Sequence, residues 1–158
     1  MNPATKRNSP RKIDILLIED NPGDVRLTEE VLRDSGAGCN LTTVRDPEHA
    51  LNMLRGENGS RQIIPEIVFL DMNLPKISGV DIIRAIRNTP GVQHTPIVIL
   101  SSTENPEEVR TAYEMGANCF VRKPVGFDEF MKSLTTCYQF WCEVVTLPPT
   151  GTKPGSKN

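Results

Sequence analysis

Ile13-Asp14-Ile15-Leu16-Leu17-Ile18-Glu19-Asp20 is a short apolar run that stops abruptly on two carboxylates. It is too short for a helix, rich in branched residues and apolar on both faces of an extended chain. Those features suit a central strand of a parallel sheet covered on both sides. The same pattern recurs twice. Ile67-Val68-Phe69-Leu70 stops at Asp71, and Pro96-Ile97-Val98-Ile99-Leu100 stops at Ser101-Ser102. Two weaker strands are predicted at Leu41 to Val44 and Cys119 to Val121.

Helical spacing fills the intervals. Val25, Leu27, Val31 and Leu32 mark the first helix, which opens at Asn21-Pro22-Gly23-Asp24 and closes near Gly36. Ala50, Leu51 and Leu54 mark the second, with Asp46 as its cap and Pro47 at its first position. Val80, Ile82, Ile83 and Ile86 mark the third. Val109, Ala112, Tyr113 and Met115 mark the fourth, between Pro106 and Gly116. Phe127, Phe130, Met131, Leu134, Tyr138 and Trp141 mark a long fifth. Strand and helix thus alternate five times, which predicts an α/β fold: a (βα)5, doubly wound, parallel five-stranded sheet. The domain is expected over residues 12–147, with disordered polar tails at 1–11 and 148–158.

Composition narrows the function. A chain of 158 residues suffices for one domain with a real core. A net charge of -2 argues against nucleic-acid or membrane-surface binding, and the basic residues Lys6, Arg7, Arg11 and Lys12 read as a solvated tail. No apolar run approaches the roughly 20 residues that span a bilayer. Met1 to Lys12 has no leader-like stretch, so a cytoplasmic location is expected. Cys39, Cys119, Cys137 and Cys142 lack CxxC spacing and neighbour neither His49 nor His94, so they read as reduced thiols in the core.

Ligands of an open parallel sheet bind beyond the carboxyl ends of its strands. Here those ends carry Glu19-Asp20, Asp71, Ser101 and Arg122-Lys123-Pro124. Three carboxylates in one crevice repel one another. A lysine and a divalent cation resolve the repulsion, and magnesium, with its oxygen ligands and retained waters, leaves room for a phosphate oxygen. The set suits phosphoryl transfer onto a carboxylate.

Taken in order, Glu19-Asp20, Asp71 within Phe69-Leu70-Asp71-Met72-Asn73-Leu74-Pro75, Gly79, Ser101-Ser102 and Lys123-Pro124 resemble the receiver domain of two-component response regulators, from about Lys12 to about Phe140. The resemblance implies the flavodoxin-like strand order 2-1-3-4-5. It implies Asp71 as phosphoacceptor, fed by a sensor histidine kinase, with no output domain of its own. It implies that Glu19, Asp20, Asp71 and the backbone carbonyl of Asn73 hold Mg2+, that Ser101 and Lys123 contact the phosphoryl group, and that the bond before Pro124 is cis. Ser101 and Phe120 occupy the switch positions, although phenylalanine lacks the hydroxyl of the usual tyrosine. Asn73 and Thr103 flank the path of an attacking water. Thr103 carries no charge, so slow self-hydrolysis is expected. The stretch Gly56 to Gln62 and the ending from Phe140 to Pro148 are similar to regulators that partner phytochrome-type kinases.

Three other readings fit less well. An aspartate-nucleophile phosphatase needs a second acid where Asn73 stands. A flavin or nucleotide binder would have its phosphate repelled by Glu19-Asp20. A pseudo-receiver would not keep the full set of carboxylates, hydroxyl and ammonium. Phe127, Phe130, Met131 and Leu134 suffice to pack the fifth helix onto the sheet. Tyr138, Phe140 and Trp141 are then surplus, and the polar tail after Pro148 is ill-suited to cover them. A homodimer through these aromatics is the expectation.

Overall fold

Five parallel strands stand side by side in the order β2-β1-β3-β4-β5. They are β1 (Ile13–Ile18), β2 (Cys39–Val44), β3 (Ile67–Asp71), β4 (Ile97–Ser101) and β5 (Cys119–Arg122). The helices between them are α1 (Pro22–Asp34), α2 (Pro47–Arg55), α3 (Gly79–Arg87), α4 (Pro106–Glu114) and α5 (Phe127–Gln139), and a π-helical turn follows at Phe140–Val144. This computed structural model describes residues 12–34 and 39–150. The expected close of the first helix at Gly36 and the expected tails at 1–11 and 151–158 lie outside the described residues.

Alternation along each strand divides the core in two. Leu16, Ile18, Val68, Leu70, Ile97 and Ile99 face one way, onto Leu51, Leu54, Ile82, Ile83 and Ile86 of α2 and α3 and Ala112 of α4. Ile15, Leu17, Ile67, Phe69, Val98 and Leu100 face the other, onto Val31 and Leu32 of α1 and Phe130 and Leu134 of α5. Because both faces are covered, β3 and β4 are buried at every position. The apolar runs are continuous for that reason.

Local signals set the helix starts. Asp46 accepts the Glu48 N–H and Pro47 begins α2. Ser78 accepts the Asp81 N–H at the start of α3, and Asn105 accepts the Glu107 N–H at the start of α4. Gly79 is required by close approach: a Cβ there would sit 2.5 Å from Met72 Sδ and 3.0 Å from Met72 Cα.

Three sequence expectations need correction at the carboxyl end. Phe127 does not pack on the sheet; as the first residue of α5 it is exposed, beside the exposed Val125. Tyr138 is not surplus but fully buried in the core between α5 and the sheet. Trp141 is half-buried and packs against the same core, edge-on to Phe140 at 5.6 Å between ring centres. Cys137, Tyr138 and Trp141 continue the inward face of α5 that Phe130 and Leu134 begin, and a π turn closed by Val145 N–H to Phe140 C=O at 2.9 Å ends the helix. Farther on, Pro148, Pro149 and Thr150 line a cleft with Pro65, Glu66 and His94 beneath β3 and β4, away from Tyr138, Phe140 and Trp141. Prolines suit this path because they leave no backbone N–H to satisfy.

At the same end of the sheet, Arg87 ties α3 to two loops. It donates to the carbonyls of Gln93 and Thr95, to Gly116 C=O at 2.6 and 3.0 Å, and to Asn118 Oδ1 at 2.7 Å. Asn118 Oδ1 also accepts the Ile97 N–H at the start of β4. Gly116 holds φ +113°, and a Cβ there would meet the Arg87 side chain at 2.9 Å. Removing the guanidinium strands several half-buried carbonyls, at about 1–3 kcal/mol for each unsatisfied group. Arg87→Ala should therefore lower the unfolding free energy in urea by about 2–4 kcal/mol, whereas Arg84→Ala, whose partner is an exposed Asp81, should change it by less than about 0.5 kcal/mol.

Candidate phosphoacceptor and metal site

Four elements deliver the site. β1 ends at Ile18, so Glu19 and Asp20 leave its carboxyl end, and β3 ends on Asp71 itself. β5 ends at Arg122, and Lys123 follows, its N–H held by Ser101 C=O at 2.7 Å. The fourth element is α1, whose first turn carries Asp24. Carboxylate oxygens of Glu19, Asp20 and Asp71 all lie within 4.8 Å of one another. Lys123 Nζ is 2.9 Å from Glu19 Oε1, 2.8 Å from Asp24 Oδ2 and 3.7 Å from Asp71 Oδ1. An open cleft above them is lined by Asp20, Asp24, Asp71, Asn73 and Lys123.

The electrostatics follow from burial. Glu19 is buried, and its Oε2 is reached by no donor. Burial, together with the Asp71 carboxyl against it, pushes the Glu19 pKa up to about 9 despite the pull of Lys123. Burial works the other way on Lys123, but Asp24, Glu19 and Asp71 overcome it and hold its pKa above the usual value. A buried, undonated carboxylate oxygen beside two other carboxylates is the environment a hard divalent cation fits. Glu19, Asp20 and Asp71 are the side chains that could hold one.

A family model described as the response regulator receiver domain matches residues 15–135. The chain belongs to the response-regulator receiver family. The response regulator Rcp1 of Synechocystis sp. is 34% identical over 145 residues, spanning 89% of this chain and 96% of that protein. The manganese-bound structure of Rcp1 superposes with a TM-score of 0.80 at 33% identity, covering 87% of this chain and 99% of the other. The phosphorylated cyanobacterial phytochrome response regulator RcpA superposes equally well, at 0.80 and 32% identity, covering 88% of this chain and all of the other. The protein is thus a receiver of the kind found in phytochrome response regulators. Among its described residues no helix is long and apolar enough to cross a membrane.

Within this receiver, Glu19, Asp20, Asp71 and Lys123 come together as the sequence predicts. The backbone N–H of Asn73 donates to Asp71 Oδ1 at 3.2 Å, so the loop after β3 folds against the acceptor candidate. Ser101 is fully buried at the end of β4, and its Oγ accepts the Thr103 N–H at 3.2 Å, a local bond. Phe120 is half-buried, and its N–H donates to the Tyr113 hydroxyl at 3.0 Å. The Tyr113 hydroxyl of α4 thus meets the backbone of Phe120 and not its side chain. The cis bond expected before Pro124 is corrected: no peptide bond among the described residues is cis. Lys123 reaches Glu19 and Asp24 from the trans form, which is intrinsically favoured. Asp24 is the residue that sequence reasoning missed, because an acid near a helix start reads as a favourable neighbour of the helix dipole. The signal was its place four residues after Asp20, on the turn that overhangs the strand end.

The Glu19 shift has a pH signature. A carboxyl whose pKa is raised on folding stabilises the fold fully below its unfolded value of 4.5, and that contribution is lost as pH rises through about 9. With metal chelated, the melting temperature should fall between pH about 5 and about 9, and Glu19→Gln should flatten that slope. Scanning calorimetry across the range in EDTA measures it.

Proposed function

We propose that Asp71 accepts a phosphoryl group from the phosphohistidine of a sensor histidine kinase, and that the modified chain signals through protein contacts. The observation that carries this reading is Lys123 Nζ at 3.7 Å from Asp71 Oδ1 inside a cluster of three carboxylates. Asp71 Oδ1 is occupied by the Asn73 N–H, which leaves the other oxygen to attack phosphorus. The phosphorus–nitrogen bond breaks as the acyl phosphate forms. Lys123 then turns to the new phosphoryl oxygens, and Ser101 Oγ leaves the Thr103 N–H to donate to them. Glu19, Asp20, Asp71 and the Asn73 carbonyl would hold Mg2+, which when bound supplies positive charge against the transferring group. The metal-bound form of Rcp1 and the phosphorylated form of RcpA support both parts of the reading. The same relatives favour a phytochrome-type kinase as the donor.

Movement of Ser101 reaches Phe120 through the β4–β5 pairing, where Ile99 lies opposite Phe120 and Ser101 opposite Arg122. Phe120 is bonded to Tyr113, so α4 is the next element to respond. Thr103 Oγ1 accepts the Asn105 N–H at 3.2 Å and carries no charge, so it orients an attacking water weakly and the acyl phosphate is long-lived. The domain covers residues 12–147 and the reaction takes place in the cytoplasm. Asp71→Asn should abolish labelling by acetyl phosphate or kinase while leaving the fold intact. EDTA should abolish it in the wild-type chain, and Asp20→Ala should weaken magnesium binding. Undiminished label on Asp71→Asn would refute the acceptor assignment.

Homodimerisation belongs to the same reading. Phe140 and Val144 remain 51% and 72% exposed after Tyr138 and Trp141 turn inward. Apolar surface left in water forgoes about 25 cal/mol per Å², and a two-fold contact is the commonest way to bury it. Phe140→Asp should convert a dimer to a monomer in sedimentation without loss of thermal stability. A wild-type monomer, phosphorylated or not, would exclude this arrangement. Truncation after Thr136 is unsuitable as a test, since it would remove the buried Cys137 and Tyr138.

A further inference from the structure

Lys123 makes its two short contacts away from the acceptor. Its ammonium is 2.8 Å from Asp24 and 2.9 Å from Glu19, against 3.7 Å from Asp71. Glu19 belongs to the carboxylate cluster, and its second oxygen, Oε2, is without a donor, so it serves that cluster as well as the lysine. Asp24 has no such second role, because it is not among the carboxylates that converge within 4.8 Å. It is also firmly placed. Its N–H donates to Asn21 Oδ1 at 3.0 Å, and its carbonyl accepts the Thr28 hydroxyl at 2.8 Å. The Asp24–Lys123 pair is partly shielded, with 29% and 12% of the side chains exposed, so water screens it less than a surface pair.

A phosphoryl group on Asp71 presents further negative oxygens to the same ammonium. Asp24 and those oxygens are like charges competing for one cation. We propose that Asp24 is a positioning residue for Lys123: its carboxylate holds the ammonium in a resting place short of Asp71, and the phosphoryl group must draw the lysine away from it. Asp24 thereby opposes the phosphorylated state and tunes how readily it forms. The proposal rests on the reading of Asp71 as acceptor.

Beryllofluoride, a non-covalent mimic of the phosphoryl group, tests it without turnover. Its affinity for the full chain in saturating Mg2+ is measured by titration calorimetry for the wild type and for Asp24→Asn, Asp24→Ser and Asp24→Glu. Asp24→Ser also suits the first turn of a helix, so it serves if the asparagine variant folds poorly. Glu129→Gln, at the cleft rim and away from the lysine contacts, controls for the loss of any negative charge. The expected result is about tenfold tighter binding by Asp24→Asn and Asp24→Ser, the worth of one hydrogen bond between charged groups. Wild-type affinity is expected for Glu129→Gln and restored by Asp24→Glu. Unchanged or weaker binding by both neutral variants would overturn the proposal while leaving the acceptor reading intact. An equal gain in Glu129→Gln would overturn it as well, by reducing Asp24 to general charge. Failure of the wild-type chain to bind beryllofluoride would overturn the acceptor reading, and this proposal with it.

Discussion

Crowding of negative charge at the carboxyl ends of β1 and β3 is the constraint on which the upper half of this receiver depends. Glu19, Asp20 and Asp71 are brought within one ligand sphere by the sheet, and they cannot all be ionised there unaided. The fold answers with a proton and an ammonium. Burial and Asp71 favour the protonated form of Glu19, and Lys123 lies between Glu19 and Asp24. Each is a provisional solution. A divalent cation would displace the proton, because its oxygen ligands must be deprotonated. The crevice is thus held in a state that added positive charge improves.

A crevice under such electrostatic load needs a rigid support, and the sheet supplies it. Parallel strands buried on both faces place successive side chains alternately into two separate cores, and one residue of slip in β1 or β3 would exchange the two sets. Register is therefore fixed by more than ten large apolar residues, and the positions of Glu19 and Asp71 follow from it. The strand-end carboxylates are precise because the residues before them are greasy. Asp71 lies one residue beyond Leu70, which sits opposite Ile18 of β1 and Ile99 of β4.

That dependence explains what the sequence disclosed. Ile15-Leu16-Leu17-Ile18 and Ile67-Val68-Phe69-Leu70 state both the strand and its burial, so the sheet and its terminal carboxylates were legible together. Lys123 was legible through the proline after it and the strand before it. Asp24 was not, since its role comes from the overhang of α1 above the strand ends, a tertiary relation with no local signature. Tyr138 and Trp141 were misjudged for a related reason. Their spacing continues the inward stripe of Phe130 and Leu134, but how far the core extends under the end of α5 is a tertiary relation that the stripe does not state. The backbone of Lys123 was misjudged too, since the lysine reaches its partners without a cis bond.

The two ends of the sheet are built to opposite standards. At the amino ends the loop carbonyls around β4 and β5 are settled, although the buried Trp141 Nε1 under the π turn has no acceptor. Arg87 closes the loops around β4 and β5 with five hydrogen bonds, and Asn118 bridges it to Ile97. The four cysteines, scattered in sequence, gather in one core beneath α5 and the π turn. Burial raises all four thiols, with neighbouring thiols adding to the effect on Cys137 and Cys142, which are pushed up to about 12. Thiols held so far from ionisation are poor nucleophiles and poor metal ligands, so they act as small apolar filling. At the carboxyl ends Glu19 leaves a buried oxygen without a donor, the Ser101 hydroxyl accepts from its own loop, and Lys123 divides itself among three acids. A receiver has to change state at one end without loosening the other. The buried Glu19 Oε2 without a donor lies in the crevice, and the Arg87 network braces the base, so a change of charge at the crevice acts on groups that the two apolar cores do not need for their packing.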